Sequence, residues 1–218
     1  MKTFNITRNV IIKTPMDIPG ETQSLQHEWY KRVRSWHADS ANILEIGCAF
    51  GRSTWGWLDV MDKTNDRLDV VDTLTYPDYR FNTHSNSKQI LKDIKEYSQE
   101  DIFYYTVGQH KNYNKITNLH NMTSFKFMKK FKDKTYDIVF LDGSHDYKTV
   151  NRELNNFKGA RVICGDDFSY EHHDVINAVT DFYKANNNYY LYTDTAARFW
   201  ALRNGSAWKL FVQNLINK

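Results

Sequence analysis

Apolar residues recur at spacings of three and four across residues 21–38, where Leu25, Trp29, Tyr30, Val33 and Trp36 would share one face of an amphipathic helix. The pattern changes at residues 42–47 (NILEIG), a short continuous apolar run closing on glycine, which predicts a buried strand. Residues 53–61 then read as a helix whose first turn begins after Gly51. The alternation continues. Residues 67–72 (RLDVVD) predict a second strand, 86–100 a polar helix, 102–107 (IFYYTV) a third strand and 124–131 a helix. Residues 136–141 (YDIVFL) predict the fourth strand, 147–157 a helix, 160–164 the fifth strand and 175–184 a further helix. Residues 189–193 and 199–203 lie close together with no helix between them, so they predict a final antiparallel pair.

Five strands joined by helices imply parallel pairing, because crossover helices connect parallel neighbours. The expected fold is α/β, a doubly wound, Rossmann-like, seven-stranded and mostly parallel sheet with a C-terminal antiparallel hairpin. One domain over 1–218 is expected, with an N-terminal extension and helix at 1–39, the ligand-binding core at 40–203 and a C-terminal segment at 204–218. With 218 residues and 41% hydrophobic content, folding would bury about 70% of the chain's surface, enough for one large core. No window approaches the length of a membrane span. Residues 1–17 carry Lys2, Arg8 and Lys13 without an apolar signal region, so a cytoplasmic protein is expected. Cys48 and Cys164 have no metal or redox spacing and are expected to be free thiols. Twenty-nine basic against 26 acidic residues leave +3, too little to indicate nucleic acid. Residues 126–134 concentrate lysines among Phe125, Phe127, Met128 and Phe131, which reads as an amphipathic helix with a solvated face; the alternative is a polyanion site.

In an open α/β sheet, ligands bind beyond the carboxyl ends of the strands, so the loops there carry the chemistry. The first such loop is Glu45-Ile46-Gly47-Cys48-Ala49-Phe50-Gly51-Arg52-Ser53. Glycine at both ends permits a tight turn and close ligand approach, and the free amides at the following helix start favour an anionic group. Ala49 stands where a dinucleotide fingerprint needs its second glycine, and no G-K-[ST] follows, so neither nucleotide motif is present. Glu45 lies near the end of a buried strand, where a ligand ammonium would offset its charge; the alternative is a surface strand end. Asp72 closes the second strand in a position to accept hydrogen bonds from ribose hydroxyls. S-adenosylmethionine fits this set of groups.

The stretch from Leu44 to Gly51, an E-x-G-x-x-x-G motif, with the acidic end of Val70-Val71-Asp72 and the terminal hairpin, resembles the class I S-adenosylmethionine-dependent methyltransferases over about residues 40–203. The resemblance implies that Glu45, Gly47, Gly51 and Ser53 surround the methionine part, Asp72 the ribose, and Met122, Thr123 and Ser124 the adenine. For Met122 the alternative is a plain core residue.

After the fourth strand comes Leu141-Asp142-Gly143-Ser144-His145-Asp146-Tyr147, and after the fifth Gly165-Asp166-Asp167-Phe168. The sheet order would bring Asp142, Asp166 and Asp167 together, and a hard divalent cation, Mg²⁺ or Mn²⁺, would offset their repulsion. The alternative is that Asp142 only orients the cofactor while Asp166 or Asp167 caps a helix. His145, three residues after Asp142, could take a proton from a substrate hydroxyl; the alternative is a loop histidine bonded to backbone. This arrangement resembles the divalent-metal-dependent O-methyltransferases. It departs from the catechol type, which has an asparagine and a lysine where Asp167 and His145 stand, and is similar to the sugar O-methyltransferases of macrolide biosynthesis. The resemblance implies O-methylation of a small-molecule or glycan acceptor, a vicinal diol on a sugar for example, with Asp142 and His145 at the reacting groups. Competing readings are a methyltransferase for nucleic acid or nitrogen acceptors, a non-catalytic cofactor-binding module, and a nicotinamide dehydrogenase. Tyr170, His172 and His173 could line the acceptor pocket, and Trp200 reads as core. Segments 73–86 and 108–121 are expected acceptor walls, and residues 1–20 are expected to cover the pocket or mediate self-association into a homo-oligomer.

Overall fold

A computed structural model describes residues 10–75 and 97–205. Seven strands form one sheet in the order β3-β2-β1-β4-β5-β7-β6. They are β1 (Asn42–Ile46), β2 (Arg67–Asp72), β3 (Ile116–Asn121), β4 (Ile138–Leu141), β5 (Val162–Gly165), β6 (Tyr189–Asp194) and β7 (Phe199–Asn204). The first five pair in parallel, β7 runs antiparallel to β5, and β6 pairs antiparallel with β7. The order reverses between β1 and β4, which opens a crevice above their carboxyl ends. The expected doubly wound, Rossmann-like fold with its terminal hairpin is the fold observed.

Among the described residues, six helices cover the sheet: α1 (Ser24–Ser35), α2 (Arg52–Val60), α3 (Gln99–Val107), α4 (Ser124–Lys130), α5 (Tyr147–Asn156) and α6 (His173–Ala185). Side-chain alternation along the strands explains why both faces are buried. Ile43, Val70 and Phe140 point to one face and pack with Trp29, Tyr30, Trp57, Leu58 and Phe103 of α1–α3. Leu44, Ile46, Val71, Val139 and Leu141 point to the other and pack with Phe127, Met128, Val150, Leu154, Val175 and Phe182 of α4–α6. Trp200 is 1% exposed and belongs to this second core. Among the described residues, no helix is long and apolar enough to cross a membrane.

The third strand is a correction. Residues 102–107 are not a strand but the body of α3. Their aromatic and β-branched run mimics a strand, but Ser98 accepts a hydrogen bond from the Asp101 amide as N-cap, and Glu100 and Asp101 fill the acidic first turn. Ile102, Phe103, Thr106 and Val107 are buried at helical, not alternating, spacing. The actual third strand, β3, reads ITNLHN; as an edge strand with mixed exposure it carries little apolar signal. Segment 108–121, expected as an acceptor wall, supplies none of the residues that line the cavity. It holds a 3₁₀ turn, Tyr113–Lys115, and β3, and it is anchored to the end of α2 by His110–Asp59 at 3.0 Å and by the Asn112 side chain donating to the Leu58 carbonyl at 2.9 Å. Residues 86–96 of the polar helix expected at 86–100, and most of segment 73–86, lie outside the described residues; residues 99–100 are the start of α3. Residues 124–130 form the amphipathic helix anticipated, with Phe127 and Met128 buried and its lysines exposed.

Candidate functional site

The strand β1 delivers the glycine loop to the crevice. Gly47 has φ +87°, and a Cβ there would stand 2.1 Å from the Asp142 carbonyl oxygen, so only glycine lets the two loops meet. Gly51, at φ +95°, is the N-cap of α2. Glu45 is fully buried and accepts hydrogen bonds from Ser53 Oγ at 2.5 Å and Thr54 Oγ1 at 2.6 Å. Burial pushes its carboxyl up to about 7, against the opposing effect of these two hydroxyls. Glu45 thus ties β1 to the first turn of α2 and needs no ligand to satisfy it. Asp72 braces the same loop: Oδ2 accepts from the amides of Cys48 at 2.9 Å and Ala49 at 3.0 Å, and Oδ1 from the Leu74 amide at 2.6 Å. It still lines the cavity.

Arg52 carries no motif, and the sequence reading missed it. It is 4% exposed; its Nε donates to the Ile18 carbonyl at 2.7 Å and Nη1 to that of Thr22 at 3.1 Å. Nη2 is buried without a partner, and Arg52 lines the cavity. Burial lowers its pKa to about 10. Through Arg52 the segment Pro19–Thr22 becomes a wall of the cavity, which agrees with the expectation that the N-terminal residues reach the pocket.

At the ends of β4 and β5, Asp142, Asp166 and Asp167 place a carboxylate oxygen each within 4.8 Å of one another. Burial, then repulsion by Asp166 and Asp167, holds Asp142 well above the usual carboxylate range. Burial and the Asp167 charge raise Asp166 to about 6. Burial also pushes Asp167 up, but the hydrogen bond from His145 and the charges of His145, His172 and Arg198 outweigh it and leave Asp167 low. His145 Nε2 lies 2.7 Å from Asp167 Oδ2, and this hydrogen bond raises the imidazole against its burial. His172 Nε2 lies 3.4 Å from Asp167 Oδ1, with the two imidazole centroids 4.4 Å apart. Arg198 Nη2 stands 3.4 Å from Asp166 and 3.5 Å from Asp167. Asp167 (φ +65°) and Arg198 (φ +54°) both occupy the left-handed region, joined by a Phe168 amide to Arg198 carbonyl bond of 2.8 Å. Non-glycine residues held there mark a site whose geometry is fixed by its surroundings. The all-oxygen donor set and its mutual repulsion fit a hard divalent cation.

These groups share one cavity of about 570 Å³. Its walls include Gly47, Ser53, Asp72, Met122, Thr123, Ser124, Asp142, His145, Asp166 and Asp167, so nearly every expected site residue meets there. Glu45 and Gly51 stand behind the loop, absent from the wall. Arg52, Glu153 and Arg198 are wall residues that no motif announced. Of the three residues expected at the acceptor pocket, none lines the cavity: His172 reaches Asp167, and Tyr170 is 82% exposed.

A Rossmann-like sheet ending in an antiparallel hairpin, with a glycine loop and an acidic β2 end at the switch point, is the architecture of a class I S-adenosylmethionine-dependent methyltransferase. A methyltransferase-domain family model matches residues 44–161, over half of the chain, and the chain belongs to that methyltransferase family. It is similar in fold to the O-methyltransferase from Bacillus cereus in complex with S-adenosylhomocysteine (14% identity, TM-score 0.58, covering 84% of this chain and 83% of that one). It is also similar to CalS11, a TDP-rhamnose 3′-O-methyltransferase in calicheamicin biosynthesis (14%, TM-score 0.53, 82% and 77%). A third likeness is to the O-methyltransferase NovP (15%, TM-score 0.52, 82% and 79%). No curated protein sequence matches the chain.

Proposed function

We propose that the protein transfers a methyl group from S-adenosylmethionine to a hydroxyl oxygen of a small-molecule or sugar acceptor, with Mg²⁺ or Mn²⁺ at Asp142, Asp166 and Asp167. The observation that carries this reading is the shared cavity, which joins the glycine loop to the His145–Asp167 pair and the carboxylate trio. When bound, S-adenosylmethionine supplies a sulfonium-bound methyl whose S–C bond breaks toward sulfur as the acceptor oxygen bonds the carbon. A divalent cation supplies positive charge and orients adjacent acceptor oxygens, which favours a vicinal diol.

The chain's own residues do the rest. The backbone amides at the α2 N-terminus, with Arg52 Nη2, would take the methionine carboxylate, a role supported by the lack of a partner at Nη2. Asp72, which already holds the loop, turns its carboxylate toward the ribose; Met122, Thr123 and Ser124 form the adenine wall. His145 donates Nε2–H to Asp167, which fixes the ring and leaves Nδ1 to take the acceptor's hydroxyl proton. Asp167 acts through His145 as well as through the cation, and Arg198 balances the carboxylate charge. The O-methyltransferase activity named for structural neighbours of this fold, one of which acts on a sugar nucleotide, is in keeping with this reading.

The test is S-adenosylhomocysteine formation across a panel of vicinal-diol sugars, with Mg²⁺ or with chelator. His145→Ala is expected to lower turnover by about 10²- to 10⁴-fold while S-adenosylhomocysteine binding is retained. Full turnover by His145→Ala, or turnover indifferent to chelator, would contradict the respective half of the scheme.

A further inference from the structure

On the side of the crevice covered by α4 and α5, the cavity wall contains a carboxyl that the methyl transfer leaves unused. Glu153 of α5 is 1% exposed and lines the cavity, and its Oε1 is the one buried carboxylate oxygen without a hydrogen-bond partner among the described residues. The other buried carboxylates are engaged. Glu45 holds Ser53 and Thr54; Asp66 holds Arg34 and the Ala41 amide; Asp69 holds Lys134, Tyr136 and Asn118. Glu153 has the Ser124 side chain as its hydrogen-bonding neighbour. An acceptor buried and left open is costly, and one at a ligand cavity is relieved when the ligand brings a donor. The surrounding wall is apolar and suited to a flat ring: Met122, Met128 and Phe125, with the Arg152 guanidinium 4.8 Å from the Phe125 centroid.

We infer that Glu153 reads the exocyclic amine of the cofactor's adenine, accepting its N–H at Oε1. This rests on the S-adenosylmethionine reading above, in which the adenine lies against Met122–Ser124, the strip that Glu153 adjoins. The ribose and sulfonium have their partners elsewhere, at Asp72 and the glycine loop, which leaves the amine as the donor on this side. Burial, with the Asp146 charge, pushes the Glu153 carboxyl up to about 7. A carboxyl that keeps its proton can donate it from Oε2 to the Ser124 side chain while Oε1 accepts from the amine, so the cavity meets an acceptor that suits an amine and not a carbonyl. Glutamine presents the same acceptor and donor pair, and leucine neither.

The experiment is calorimetric titration with S-adenosylhomocysteine and with S-inosylhomocysteine, in which a carbonyl replaces the amine. The wild-type chain, Glu153→Gln and Glu153→Leu are compared, and thermal melting confirms that each is folded. The wild type is expected to favour the adenosyl ligand by about 10- to 100-fold. Glu153→Gln keeps that ratio, and Glu153→Leu brings it to within about threefold while still binding both ligands. Should leucine unfold the chain, Glu153→Met makes the same comparison. A wild-type ratio near one, or a leucine or methionine variant that retains the wild-type ratio, overturns the inference. Failure of the wild type to bind either ligand overturns the S-adenosylmethionine reading itself, and is thereby distinguished from failure at Glu153 alone.

Discussion

Replacing Glu45 with glutamine isolates the energetic role of the buried carboxyl behind the glycine loop. Its pKa lies at about 7 in the fold against an ordinary 4.5, with burial as the cause and two hydroxyl hydrogen bonds in opposition. Below pH 4.5 the carboxyl is neutral in both folded and unfolded chains, and the fold keeps its full stability. As pH rises from 4.5 to 7 the unfolded chain ionises while the folded one retains its proton, so stability falls by about 1.4 kcal/mol per pH unit. Above pH 7 the loss is complete, and the interval corresponds to about 3 kcal/mol. Glutamine preserves the side-chain length and the partners Ser53 and Thr54, but it does not ionise. Urea unfolding of wild type and Glu45→Gln from pH 4.5 to 8 is the assay, and subtraction removes the titration of Asp142, Asp166 and the other shared groups. The two proteins should lie within about 1 kcal/mol of each other at pH 4.5, with the variant about 3 kcal/mol more stable at pH 8. A stability difference that stays constant across this range would refute the reasoning.

Three further outcomes follow from the geometry. Gly47→Ala places a Cβ against the Asp142 carbonyl at a left-handed backbone position; it should cost at least about 2 kcal/mol and abolish S-adenosylhomocysteine binding, read by denaturation and calorimetry. Ser98→Ala removes the N-cap of α3 and should cost about 1 kcal/mol in urea unfolding, whereas a strand at 102–107 would leave stability unchanged. Arg52→Met removes the unpartnered Nη2 and both ties to residues 18–22; it should weaken S-adenosylhomocysteine binding by about tenfold or more.

Local pattern and global chemistry were legible to different depths in the sequence. The alternation of apolar runs and helical stripes located β1, β2, β4, β5 and the terminal hairpin because those strands are buried on both faces or paired within a short span. The loops after β1, β4 and β5 could then be placed together before any coordinates, and Gly47, Asp72, Asp142, His145, Asp166 and Asp167 do converge. The failure at 102–107 has a physical cause: helical burial at Ile102, Phe103, Thr106 and Val107 was overridden by β-propensity, while the true edge strand is half polar. Arg52, Glu153 and Arg198 escaped because nothing local distinguishes a surface arginine or glutamate on a helix or turn from one aimed into a cavity. Only packing against Ile18, Ser124 and Asp166 reveals them. The Ser53 and Thr54 hydroxyls similarly replace the ammonium expected at Glu45.

The central claim is tested most directly by calorimetric titration of the chain with S-adenosylhomocysteine, with and without Mg²⁺ and with NAD as control. Micromolar binding of S-adenosylhomocysteine and none of NAD is the predicted result. Absence of S-adenosylhomocysteine binding, or a preference for NAD, would contradict the account.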